Sequence, residues 1–340
     1  MKKEVTIYDL AEELHVSPST VSRALQGHPS IGKKTKSAVK KLAETKGYRP
    51  NKIAASLRGN KMNTIGVIIP WINRPFISSL ISGIEIGAKK AGYNVLISQS
   101  HDSLETEIKN AQALYSSRVA AVIASLAIET TTYDHFRQFM KGNIPVVFVD
   151  RTTDELNSDQ VIIDNFEAGF KATEHLIHQG CKRIAHFAGS QNRNVYQERK
   201  RGYIEALRKH GLSIDERLIV YGQNLSMEEG TRSMKYICEL PDLPEGIFSS
   251  NDSAGVSAIQ YAKQVGLKIP DDIAIIGFND DPICTIIDPC LSSVTHPAID
   301  LGKIAVKQVL KTSDDNTIIK SEKIILKTDL IIRKSSSRLP

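Results

Sequence analysis

The chain has 340 residues, 41% hydrophobic and 24% charged, the composition of an ordinary globular protein long enough for two or three domains. Its net charge of +6 is unevenly placed: residues 1–60 hold twelve Lys and Arg against five Asp and Glu, and the rest hold 32 against 33. No apolar run approaches the roughly 18 residues of a membrane span, Glu4, Asp9, Glu12 and Glu13 break any secretory core after Lys2 and Lys3, and Cys181, Cys238, Cys284 and Cys290 lack metal or disulfide-framework spacing. The expectation is a cytoplasmic protein with reduced thiols, no cofactor and no membrane contact.

In chain order, Ile7, Leu10, Ala11 and Leu14 follow helical spacing, with Thr6 as N-cap and Asp9 three residues on. A second helix opens at Ser17 as cap and Pro18 as first residue. Val21, Ala24 and Leu25 fall on one side of it; Ser19, Ser22, Arg23 and Gln26 fall on the other. After the Gly27/Pro29 break, a third helix is predicted from about Ser30 to Lys46, with Ala38, Val39 and Leu42 inward and Gly47 ending it. Two short helices joined by a tight turn, with a third in support, form a helix-turn-helix, whose second helix enters the DNA major groove. The positive excess is the footprint of a segment that meets a polyanion. Arg23 suits a guanine edge. Ser17, Thr20, Ser30 and the lysines suit phosphate oxygens, which position without reading sequence.

Residues 51–58 (NKIAASLR) can form two helical turns, capped by Asn51 and closed by Gly59. Eight residues are too few for an isolated helix, so this segment should fold only against a partner.

From residue 64 the pattern alternates strand and helix. Strands are expected at Ile65–Ile69, Val95–Ser98, Val119–Ala124, Pro145–Val149, Val161–Ile163, Ile184–Phe187, Arg217–Tyr221, Gly246–Ser249, Ile273–Ile276, Ile324–Leu326 and Leu330–Ile332. Helices run over Phe76–Ala91 and Leu301–Leu310, among others. The fold class is therefore α/β: an all-α head followed by a two-lobed core of parallel sheets flanked by helices. The expected divisions are a head at 1–50, a hinge helix and linker at 51–60, and a core at 61–340. Within the core the first lobe spans about 61–161 and 293–322, and the second about 162–292 and 323–333. Ligands bind such sheets beyond the carboxyl ends of strands. Trp71, Phe76, Asp150, Asn251 and Asn279 follow strands, and Arg199 opens a helix after the Gly189 loop. Aromatic faces beside Asp, Asn and Arg suit a hydroxyl-rich or anionic small molecule.

Three groups of residues carry a family resemblance: Thr6-Ile7-Tyr8-Asp9-Leu10-Ala11, Val16-Ser17 with Thr20-Val21-Ser22-Arg23-Ala24-Leu25, and Tyr48-Arg49-Pro50-Asn51 with Ala54 and Leu57. They resemble the head and hinge of the lactose-repressor/galactose-repressor family of bacterial transcription regulators. Pro145–Arg151, Asn251-Asp252 and Ile276–Asp280 resemble that family's core, which is similar to periplasmic sugar-binding proteins. The resemblance covers about residues 5–333. The expected assembly is a homodimer, favoured over a dimer of dimers, on a pseudo-palindromic double-stranded operator. The resemblance also implies that hinge residues Asn51, Ala54 and Leu57 lie in the minor groove, with Leu57 as an apolar wedge. Head contacts are implied at Thr6, Ser17, Pro18, Ser19, Thr20, Ser22, Arg23, Gln26 and Ser30, and effector contacts at Asp150, Arg199, Asn251 and Asn279.

Four departures stand out. Leu14-His15 replaces the family's usual Ala-Gly, and Pro18 supplies no donor at a reading position. Asn279 stands where sugar-binding members often carry Asp, and Leu225 where some carry an aromatic stacker.

The reading is thus a DNA-binding regulator, a repressor, controlled by a small molecule, most simply a sugar or sugar derivative. The alternatives are control by a protein co-regulator, and a small-molecule-binding protein or enzyme without DNA function. For an enzyme, Gly27-xxxx-Gly32-Lys33 resembles a phosphate loop, but Lys34 replaces its Ser/Thr and no strand precedes it. The nine histidines show no metal spacing along the chain.

Overall fold

The computed structural model describes residues 5–48, 63–314 and 321–338. The expected hinge, with Asn51, Ala54 and Leu57, lies outside the described residues. The chain divides into two units, within 1–62 and 63–340.

Among its described residues the first unit holds three helices: α1 (Ile7–Glu13), α2 (Pro18–Leu25) and α3 (Lys33–Lys46). Thr6 and Asp9 form a full capping box, each satisfying a backbone amide of the other. Ser17 Oγ accepts from Thr20 N at 3.1 Å, and Pro18 occupies the first turn, where its missing N–H costs nothing. Leu10, Ala11, Val21, Ala24, Val39 and Ala43 close a small core. His15 takes the turn between α1 and α2 at φ +52°, a left-handed conformation that glycine adopts without strain. The third helix departs from expectation at its start and in its inward face. It begins at Lys33, because Gly32 offers no side-chain cap and Ser30 bonds instead to His28 Nδ1 at 2.8 Å. Val39 and Ala43 face in, while Ala38 is exposed.

The second unit contains two six-stranded sheets flanked by helices, the first of them α4 (Pro75–Lys90), α5 (Leu104–Ser116) and α6 (Asp134–Lys141). The first sheet comprises β1 (Thr64–Ile69), β2 (Asn94–Gln99), β3 (Ala121–Ala124), β4 (Val146–Val149), β5 (Asp159–Ile163) and β11 (Lys323–Leu326), in the order β11-β5-β4-β3-β1-β2, all parallel. The second comprises β6 (Ile184–Phe187), β7 (Ile219–Val220), β8 (Gly246–Ser249), β9 (Ala274–Asn279), β10 (Ser292–Thr295) and β12 (Leu330–Ile331), in the order β12-β10-β9-β8-β6-β7. Only its β10–β12 pair is antiparallel. The inner strands are buried on both faces, which is why they read as continuous Ile/Val runs.

The lobe boundaries move relative to the expected ones. β5 is paired with β4 through Val149↔Val161, so the first crossover follows Ile163. β10 lies beside β9 in the second sheet, so the chain returns only at Ala298. β11 lies beside β5 in the first sheet, which leaves only β12 of the late strands in the second. Strands of both sheets share one apolar pattern, which carries no label for the sheet they join. The expected Arg217–Tyr221 strand shrinks to Ile219–Val220, because Asp215 accepts from Arg217 N and turns residues 216–218 into a 3-10 helix.

Close helix pairs brace each lobe. In the second lobe, helix α7 (Asn165–His178) crosses α8 (Asn194–Lys209) with glycines at the contact. A Cβ on Gly202 would lie 2.2 Å from Phe166 O, and one on Gly169 would lie 2.4 Å from Arg199 O. No larger residue allows this approach, and it fixes where Arg199 stands.

Candidate functional site

In the head, Ser17, Ser19, Arg23 and Gln26 are exposed, while Pro18, Thr20 and Ser22 are half-buried. Ser17 Oγ lies 2.8 Å from Ser19 Oγ and 2.9 Å from Thr20 Oγ1, so three hydroxyls cluster at the N-terminus of α2. That end carries the positive pole of the helix and suits an anionic oxygen. Arg23 projects from the same helix, and no ion pair holds it among the described residues. Thr6 Oγ1 is bonded to Asp9 Oδ2 at 2.7 Å, so its hydroxyl already serves the cap of α1.

In the core, Trp71, Phe76, Asp150, Arg199, Asn251 and Asn279 line one cleft between the two lobes. Arg199 is buried and held from three sides: Nε donates to Asn165 Oδ1 at 2.8 Å, Nη1 donates to Ser250 O at 2.7 Å, and the guanidinium lies 3.5 Å over the Phe278 ring. Burial lowers its pKa to about 10, which still leaves it charged. Asp150 ends β4 at φ +63°, buried; burial raises its carboxyl pKa against the pull of Arg151 and Arg199. A buried carboxylate and a buried guanidinium in one cleft suit a ligand that both accepts and donates hydrogen bonds.

Trp71 Nε1 donates to Asp102 Oδ2 at 2.9 Å, and Asp102 Oδ1 pairs with Arg151. The indole is thereby fixed as a wall of the cleft. Asn251 lines the cleft, but both ends of its amide are engaged. Oδ1 accepts from Ala254 N at the start of the helix Asp252–Gln264, and Nδ2 donates to Leu225 O, each at 2.9 Å. Leu225 is itself buried beneath that loop at φ +51° rather than presented to the cleft. Asn279 and Asp280 take φ +113° and +56° in succession at the end of β9, a strained pair of the kind that gathers at ligand sites.

Sequence reasoning missed the cleft residues His296, Asp102 and Tyr196, while Asp281 stands where the strand-end rule puts it, after Ile276. His296 stacks on Phe76 with centroids 3.9 Å apart and approaches Asn279 Oδ1 at 3.2 Å through Nδ1. Its Nε2 is buried, without a hydrogen-bond partner, 3.8 Å from Asp150 Oδ1. Burial, with help from Arg199, holds this imidazole neutral. It follows β10, so the strand-end rule reaches it once the polar segment Ser292–Thr295 is recognised as a strand. That segment is buried because its hydroxyls are paired: Ser293 Oγ donates to Asp252 Oδ1 at 2.7 Å, and Ser292 Oγ donates to Arg333 O at 3.0 Å. Asp281 N donates to Asp252 Oδ2 at 2.8 Å. Burial lifts the two carboxyls to about 6 (Asp252) and about 7 (Asp281).

The lobes are clasped across the cleft mouth. Arg193 and Asn194 come from the second lobe. Arg193 Nη2 donates to Thr130 O, and Asn194 exchanges two bonds of 3.2 Å with Thr152. Arg151 Nη2 reaches Tyr196 Oη at 3.4 Å. The space left between these walls is about 70 Å³, room for a few waters. Among the described residues no helix is long and apolar enough to cross a membrane.

Comparison with known proteins gives two family matches: "Bacterial regulatory proteins, lacI family" over residues 6–51, and "Periplasmic binding protein-like domain" over 173–336. The HTH-type transcriptional repressor CytR of Escherichia coli (strain K12) is 31% identical over 98% of this chain and 97% of its own length. Among solved structures, a transcriptional regulator CelR–cellobiose complex matches 98% of this chain and 100% of its own, at 25% identity and TM-score 0.74. The Lac repressor dimer bound to operator and the anti-inducer ONPF shares the fold, with TM-score 0.86 over 98% of this chain and 99% of its own, at 22% identity.

Proposed function

The chain belongs to the lacI family of bacterial regulatory proteins, and from that premise we propose a cytoplasmic repressor whose cleft binds a small, polar, hydroxyl-bearing molecule, a sugar or sugar derivative. The head is a helix-turn-helix, and the core is a periplasmic-binding-like pair of lobes. In this reading α2 enters the major groove and Arg23 reads a guanine. The hydroxyls of Ser17, Ser19 and Thr20, with Ser22, Gln26 and Ser30 around them, meet phosphate and base edges. A two-fold dimer matches a pseudo-palindrome. Ligand shifts the balance of lobe arrangements, and DNA affinity follows because the two binding events are linked.

One observation carries the effector reading. Six residues from different strand ends and loops line one cleft, and two of them, Arg199 and Asp150, are buried ionisable groups. The aromatic walls Trp71 and Phe76 suit the apolar faces of a sugar ring. CelR's complex with cellobiose supports the class of ligand.

The experiment is a thermal-unfolding screen of free sugars, phosphosugars, uronates and nucleobases against the wild type and Arg199→Ala. A ligand at ~100 times its dissociation constant adds about 2.7 kcal/mol to stability, a rise of several degrees. The reading predicts a rise in the wild type that Arg199→Ala loses. A rise that the mutant keeps in full would place the ligand elsewhere.

A further inference from the structure

The geometry points to a transition-metal site on the outer face of the second lobe, formed by Glu174, His178 and His210. One ligand atom from each lies within 4.8 Å of the others. Glu174 and His178 stand four residues apart on α7 and so share one face of that helix. His210 caps the end of α8, and its Nε2 lies 2.9 Å from Glu174 Oε1. The two imidazoles meet edge to face at 5.5 Å. A tetrahedral ion with bonds of about 2.1 Å holds its ligand atoms about 3.4 Å apart. Glu174 and His210 are half-buried and His178 is exposed, so the gap that remains lies between surface side chains.

Two further features favour a cation here. Helices α7 and α8 both end at this point, so the negative poles of both converge on it. Lys209 Nζ already sits 3.0 Å from Glu174 Oε1, which marks the carboxylate as a cation holder. That lysine side chain is 58% exposed. An exposed ion pair is weak, so a dication displaces the ammonium into solvent at little cost. Two imidazoles and one carboxylate suit Zn²⁺, Ni²⁺ or Cu²⁺ and not Ca²⁺ or Mg²⁺, which demand oxygen. Three protein ligands leave a coordination position for water. Metal would tie the ends of α7 and α8 together, remote from the cleft. Spacing along the chain could not reveal this site, because His210 is 36 residues from Glu174.

The test is isothermal titration of the full chain, freed of metal by chelation, with ZnCl₂, alongside His178→Ala, His210→Ala and the double variant. Removing outer-shell partners of a metal costs about 10- to 100-fold in affinity, so loss of a ligand should cost at least tenfold. The expected result is one ion held by these side chains per chain, weakened at least tenfold by each single variant and abolished at this site by the double. Melting curves of the metal-free variants separate lost ligation from misfolding, and exposed His178 is the variant that should melt where the wild type does. Cu²⁺ electron paramagnetic resonance should show two imidazole nitrogens in the wild type and fewer in each variant. Absence of binding, binding that the double variant retains in full, or equal competition by Ca²⁺ overturns the proposal.

Discussion

Arg193→Ala should open the two lobes without touching the ligand site. Arg193 belongs to the second lobe, at the start of α8, yet the residue is only 5% exposed and its guanidinium reaches the first. It donates to Thr130 O and hydrogen-bonds Tyr133, with the buried Glu107 carboxylate close enough to act on its charge. Hydrogen bonds from a charged donor contribute about 1.5–3 kcal/mol each. Two offsets reduce that. Burial lowers the Arg193 pKa, the sign of a desolvation cost, and its Nε is buried without a partner. A net of about 1–3 kcal/mol in the closed–open balance remains, a factor of roughly 5 to 150. Small-angle scattering of the ligand-free chain should show a larger radius of gyration in the variant. Amide exchange should quicken around Thr130 and Thr152. Arg193→Lys keeps the charge but not the forked geometry and should fall between the two. Unchanged scattering and exchange in Arg193→Ala would refute the latch.

Two further outcomes follow from the second lobe. Asp252 and Asp281 titrate near 6 and 7 because they are buried, well above the ~3.9 of an unfolded aspartate. The folded state therefore holds protons more tightly than the unfolded state. Their contribution is fully present below about pH 4 and declines as pH rises through 6 and 7. Urea unfolding should show a loss on the order of 2–4 kcal/mol between pH 5 and pH 8, attributable to this pair. Asp281→Asn should flatten most of that slope, and an equally steep slope in the variant would count against the assignment. Gly202→Ala drives a Cβ to 2.2 Å from Phe166 O. Forcing α7 and α8 apart should cost about 1–3 kcal/mol and lower the melting temperature by roughly 3–10 °C, and an unchanged melting curve would contradict the close approach.

Much of this was legible where chemistry is local. Thr6 with Asp9 and Ser17 with Pro18 mark helix starts by capping, which needs no knowledge of the rest of the chain. The cleft residues were legible because parallel sheets present their ligand groups at strand ends, and Trp71, Asp150 and Asn279 stand there. Long-range contacts were not. Ser292–Thr295 reads as a polar loop until Asp252, 41 residues away, supplies the partner that lets Ser293 be buried, and His296 was lost with it. Arg193 looks like any surface arginine in sequence, and only Thr130 and Tyr133 across the cleft give it a role. The strand exchange between lobes was misplaced because β5 and β11 carry the same apolar signature as strands of the other sheet.

Reading of DNA through α2 by a two-fold assembly can be tested by selecting bound sequences from random double-stranded DNA. Selection should be run with the full chain and with Arg23→Ala, at low and at physiological salt. The account predicts a two-fold symmetric site whose half-sites lie about one or two helical turns apart. It also predicts affinity that falls steeply with salt, and a base preference that relaxes at one position per half-site in Arg23→Ala, a loss of about 1–3 kcal/mol of discrimination. Recovery of no preferred sequence, or of one that Arg23→Ala reads unchanged, would contradict it.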